Sequence, residues 1–292
     1  MRSVLTLGAL LGLIVVTALT GCRGPQPIPQ RLPAPVQVQP APVSYAQVVE
    51  RYNAHVAPLD QLWSSAVAQL RWRDEEGRSR FEQGEGNLIF ARPGRVAFTV
   101  GKLGKPLIWA GADEMRYWLI DLQDEGVAYV GRHRFAGQPC AEPLPLPLNP
   151  RDVLHLLGLL PLESTPPSPP AVGLVADFYL IEPPGLNLRM LVEPATGQPV
   201  RVDLLDADGR SVLVSRLSNP EAVEVQGLPP GSWPRIATQA HIEALDQEGQ
   251  VTISLTNLSD GRRFDRLNSR VFDLDALLTR FKPAQIRLLD EG

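Results

Sequence analysis

Apolar positions change their spacing several times along the 292-residue chain, and each change marks an element. After Arg2 an uncharged run from Val4 to Leu19 is broken only by Thr and Gly. It falls short of the roughly 20 residues of a comfortable membrane span and ends in small residues, which predicts an export signal that is cut off. From Ser44 onward Val48, Val49, Tyr52, Val56 and Leu59 recur at helical spacing, and a second stretch follows from Asp60 to Leu70. Two short helices, or one broken at Pro58, are expected to open the folded part. After Arg71 the period becomes two, and Asp74 to Gly77, Arg92-Pro93-Gly94 and Gly101 to Pro106 read as turns between short strands. Leu88, Phe90 and Arg92 fall on one face, followed by Val96, Phe98 and Val100, then by Leu107 and Trp109.

Between Cys140 and Pro170 prolines interrupt the pattern, with one helical segment inside, opened by Asn149 as N-cap and Pro150 in the first turn. Val153, Leu154, Leu156, Leu157, Leu159 and Leu160 make that segment apolar enough to need a surface to cover, either as a permanent plug or as a movable lid. Alternation resumes at Val175, with turns around Gly185, Gly197, Gly209, Gly249 and Asp260. Leu186, Leu188, Met190 and Val192 share a face, and Leu274, Leu277, Leu278 and Phe281 predict a closing helix. About ten strands without crossover helices imply an all-antiparallel sheet in a mainly β, α+β domain, curved around its helices.

Leu19-Thr20-Gly21-Cys22 resembles the bacterial lipobox, which marks Cys22 as the site of lipid attachment. The expected organisation is a signal peptide over 1–21, a lipidated Cys22 with a proline-rich tether over 22–43, and one folded domain over 44–292. Residues 23–43 hold seven prolines and four glutamines and no acidic residue, a composition suited to extended polyproline structure. Arg23 stands where an aspartate would retain a lipoprotein in the inner membrane, so the expected location is the outer membrane, facing the periplasm. With Cys22 acylated, Cys140 has no partner for an internal disulfide.

A net charge of −4 leaves no electrostatic footprint for nucleic acid. His55, His133, His155 and His241 are scattered without metal-ligand spacing. Gly101 to Pro106 lacks the spacing and the hydroxyl of a phosphate loop, Asp206 and Asp208 lack the other ligands of a calcium loop, and no GxSxG elbow is present. No enzyme, metal site or cofactor is expected.

Three runs then form a pattern: Gln83 to Leu88, Ala91-Arg92-Pro93, and Met115 to Asp121. Together with Val192 to Pro199 and Asp206 to Gly209 they resemble the LolA/LolB-like superfamily of periplasmic lipoprotein carriers and receptors. The resemblance implies an unclosed antiparallel half-barrel covered by short helices, whose apolar concave face holds acyl chains or lipoproteins. It makes Leu88, Phe90, Val96, Phe98, Leu107, Trp109, Tyr117 and Leu119 the candidate cavity lining. It also makes Arg92 a lid latch that donates hydrogen bonds to backbone carbonyls. Leu144, Leu146 and Leu148 are candidates for a protruding apolar loop of the receptor kind. Two functions follow: binding of acyl chains or lipoproteins in an open cavity, or a non-enzymatic envelope interaction or stress-sensor protein on the same fold with its cavity filled.

Overall fold

Fifteen strands hydrogen-bond into one sheet in the computed structural model, which describes residues 39–73, 78–123, 125–135, 149–245, 249–260 and 270–290. In chain order the elements are β1 (Gln39–Pro40), α1 (Tyr45–Val56), β2 (Gln61–Arg73), β3 (Ser79–Ala91), β4 (Arg95–Lys102), β5 (Lys105–Ala112), β6 (Arg116–Asp121) and β7 (Val127–Arg132). They continue with α2 (Pro150–Leu156), β8 (Gly173–Val175), β9 (Phe178–Ile181), β10 (Leu188–Val192), β11 (Pro199–Leu205), β12 (Ser211–Ala222), β13 (Arg235–Ala244), β14 (Gly249–Ser259), α3 (Leu274–Phe281) and β15 (Gln285–Leu288). The sheet runs β1-β8-β9-β10-β11-β12-β13-β14-β2-β3-β4-β5-β6-β7-β15, so its two ends do not meet and the half-barrel is open. The first strand, Gln39–Pro40, pairs with β8, which brings the end of the proline-rich segment into the sheet.

Gln61–Arg73 is a strand, not the second helical stretch expected from the spacing. Leu62, Ala66 and Leu70 repeat every four residues, a spacing that satisfies a helix and a strand alike. Neighbours on both sides decide between them: β14 pairs with one edge of β2 and β3 with the other, satisfying the backbone groups through tertiary contacts. The expected all-antiparallel sheet is corrected at one edge, where β15 runs parallel to β7 after the chain crosses through α3. Such a pairing requires a long crossover.

Ser44 caps α1 in a capping box with Gln47, and Tyr45, Val48, Val49, Tyr52 and Val56 bury its apolar face on the inner side of the sheet. α2 packs on the same side, against β4, β5, β6 and β11. The loop after it adds Leu157, Leu159 and Leu162 to this core. α3 lies on the other, outer side, where Leu274 and Leu277 cover Trp109, Trp118, Ile120 and Val130.

Two glycines let the large aromatic side chains lie flat on the sheet. A Cβ at Gly131 would sit 2.3 Å from the Tyr117 ring, and one at Gly111 would sit 2.7 Å from Trp118. Each aromatic residue faces its glycine directly across the strand pair. The Asp206 to Gly209 turn, weighed above as a calcium loop, is held from within: the Asp206 carboxylate accepts from the backbone N–H groups of Asp208 and Arg210.

Candidate functional site

The inner face and the elements covering it form the candidate site. α1 is fastened to its surroundings at several points. The Tyr52 hydroxyl donates to the Leu160 carbonyl at 2.7 Å, and burial pushes its pKa upward against the opposing charge of Arg92. The Asn53 side chain both donates to the Leu162 carbonyl (2.7 Å) and accepts from the Leu162 N–H (2.9 Å). One turn further on, at the C-terminus of α1, Arg92 donates from Nη2 to the Val56 carbonyl (2.6 Å) and from Nη1 to the Ala57 carbonyl (3.1 Å). Those carbonyls belong to the last turn of the helix and its cap, where a guanidinium is well matched in charge and geometry, and the Val56 carbonyl also accepts from the Leu59 N–H at 3.0 Å.

Arg92→Met is expected to remove about 1.5–3 kcal/mol of stability, the range for hydrogen bonds to a charged group. It should also speed hydrogen exchange in α1 more than in β12 or β13. Equal acceleration throughout would show that Arg92 supports the whole sheet and not the helix.

Seven of the eight residues expected to line the cavity fall into three environments of the inner face. Leu88, Phe90 and Tyr117 are packed into the filled core beneath the covering elements. Val96 and Phe98 face an apolar chamber of about 40 Å³, closed on the far side by Pro150 and Val153 of α2. Leu107 and Leu119 line a cavity of about 210 Å³, which adjoins that chamber through Leu70, Val100, Ile108 and Val251.

Trp109 is a correction: it faces the outer side, with its ring 5.3 Å from that of Phe281 in α3. The cause is a register shift in the β4–β5 pair, where Val100 pairs with Ile108 while Gly101 pairs with Pro106. Leu107 is the extra residue, and Ile108 and Ala110 take the inner positions opposite Val100 and Phe98. Sequence reasoning missed Ile108 because strict alternation from Leu107 passes over it.

A larger hollow of about 870 Å³ is an open groove along the outer side of β2–β5, lined by Trp63, Ile89, Trp109 and Val271. It meets the 210 Å³ cavity at the rim, where Gln83, Gly84, Val100 and Lys102 line both. Cys22, Cys140, Leu144, Leu146 and Leu148 lie outside the described residues. Leu186, expected on the apolar face, is instead exposed in the turn before β10, whereas Leu188, Met190 and Val192 reach the core. The histidines are dispersed: His55 bonds to the Thr196 carbonyl, His133 to the Asp113 carbonyl, and His241 to Thr252 and Glu243. Arg216 lies 2.9 Å from Glu243, and with His241 it holds that carboxyl below its ordinary pKa.

An open antiparallel half-barrel with a helix-covered inner face is the LolA-superfamily fold. A LolA superfamily protein from Nitrosomonas europaea aligns over 80% of this chain and 99% of its own, at 12% identity and a TM-score of 0.50. A DUF1329 family protein from Desulfovibrio piger aligns over 80% of this chain and 97% of its own, at 16% identity and a TM-score of 0.43. An outer membrane lipoprotein-sorting protein domain from Vibrio parahaemolyticus aligns over 78% and 97%, at 9% identity and a TM-score of 0.43. Neither a family model nor a curated protein matches the sequence.

Proposed function

We propose that the protein is a lipoprotein of the outer membrane, anchored through Cys22 and facing the periplasm, that binds acyl chains or lipoproteins on its inner face and catalyses no reaction. The observation that carries this reading is the unfilled apolar space between the sheet and α2, lined by Val96, Phe98, Val100, Ile108 and Val153. Unfilled space of this kind is costly in a core and is retained most readily where something enters it. Arg92 would hold α1 over the face, as the LolA/LolB resemblance implies. The filled-barrel reading, an envelope interaction or sensor protein, has its own support: the inner voids, about 40 and 210 Å³, fall below the roughly 300–1,000 Å³ of ligand pockets.

Native mass spectrometry of the full chain, purified from membranes of an expressing host with extraction of co-purifying lipid, separates the two. The binding reading expects an acyl-bearing ligand at stoichiometric occupancy. Phe98→Glu should weaken binding about tenfold, the equivalent of 1.4 kcal/mol, and lower that occupancy, whereas Trp109→Phe on the outer face should leave it unchanged. A clean ligand-free mass that takes up no added lipid would establish the filled barrel.

A further inference from the structure

We propose that the acyl chain enters end-on, through one rim of the half-barrel with α1 and α2 still in place, and that its polar head stops at a charged ring around that mouth. This rests on the acyl-binding reading above and adds the route and the class of ligand, a single-chain amphiphile with a zwitterionic head.

The strand directions make the two rims unequal. β2 runs from Gln61 beside α1 to Arg73 at the far end, and the pairings that follow carry the β2–β3, β4–β5, β6–β7, β11–β12 and β13–β14 connections to that same far rim. The near rim is closed by the α1 fastenings at Arg92, Tyr52 and Asn53. The far rim holds the 210 Å³ cavity, whose walls change character with depth. Leu107, Ile108, Leu119 and Val251 line it inside, whereas Arg71, Glu82, Lys102 and Asp121 stand at its edge.

Lys102 and Glu82 form an ion pair that joins the β4–β5 hairpin to β3, with both side chains about half exposed. The mouth thus presents Lys102 beside the carboxylates of Glu82 and Asp121, with the Arg71 guanidinium on the outer face of the same rim, 5.4 Å from the Phe81 ring centroid, so groups of both signs stand where a head carrying both signs would stop. The space amounts to about seven water volumes at roughly 30 Å³ each, enough for part of one chain and not for several. Phe81, Leu103 and Leu245 are exposed on this rim, so it can rest on a lipid surface and receive the chain without passing it through water.

The test uses the full chain with Cys22→Ser and Cys140→Ser, carrying Asn53→Cys and Leu162→Cys to tie α1 to the loop after α2. Disulfide formation is verified by intact mass. The probe is dodecyl-chain lysophosphatidylcholine, with binding read by native mass spectrometry before and after reduction. End-on entry expects the oxidised and reduced forms to bind within about twofold of each other. It also expects Ile108→Trp, just inside the mouth where the cavity meets the chamber under α2, to weaken binding about tenfold or more. Leu107→Trp, half-buried on the same wall, provides a second block should Ile108→Trp fail to fold.

Binding by the reduced form and not by the oxidised form would overturn the end-on route and leave acyl binding intact. Unchanged affinity in a folded mouth variant would overturn it as well. No binding by the parent chain in either state would remove the acyl-binding reading and this inference together.

Discussion

Asp203→Ala is expected to lower the unfolding free energy by about 3–5 kcal/mol, the range for removing one member of a buried ion pair. Asp203 and Arg201 alternate with Val202 on β11, and Val202 belongs to the inner core, so the two charges project to the outer side. Both are nonetheless buried, at 1% and 3% exposure. Their contact is bidentate: Nε of Arg201 donates to one carboxylate oxygen at 2.6 Å and Nη2 to the other at 2.8 Å, while the Ser211 hydroxyl donates to the second oxygen at 2.8 Å. Alanine at 203 would take the Asp203 carboxylate away from a buried guanidinium, which costs far more than the pair contributes when intact.

The double variant Arg201→Met/Asp203→Leu should recover most of the loss, because it removes both desolvated charges and retains volume. Urea denaturation of the two variants checks both expectations. A loss below about 1 kcal/mol for Asp203→Ala, the value of an exposed pair, would mean that water reaches the carboxylate.

Phe90→Ala should cost a comparable amount, about 3–5 kcal/mol, through lost burial and the void left behind. Phe90 has no exposed surface and pairs across the sheet with Leu62 on one side and Val96 on the other, both of them fully buried. The surrounding strands are held by ladders on both edges, so they cannot collapse into the gap. Phe98 differs although it lies on the same face: it is half-buried beside the chamber, and its truncation should be much milder. Equal losses at the two positions, measured by thermal and urea denaturation, would show that the chamber beside Phe98 is closed in solution.

Much of the architecture was legible before folding because it depends on local chemistry. The helical spacing after Ser44 marks the start of α1, Asn149-Pro150 marks the start of α2, and the glycine turns separate strands whose alternation is plain over Leu188, Met190 and Val192. Arg92 was identified through a resemblance, and its two bonds to Val56 and Ala57 depend on how the β3–β4 turn meets α1. Trp109 was misplaced because one extra residue in a strand reverses every side chain beyond it, and nothing in Gly101 to Pro106 announces where that residue sits.

Residue order and type were enough for the mainly β class, the positions of α1 and α2, and the turn boundaries. These follow from periodicity, capping and short motifs, whose causes lie within a few residues of one another. Three features required contacts between distant segments: Gln61–Arg73 as a strand, α3 on the outer side with β15 parallel to β7, and the division of the inner face into filled core and open chamber. An amphipathic segment states that it has a face to bury, but which surface covers that face, and whether space remains between them, is settled by how the rest of the chain packs against it.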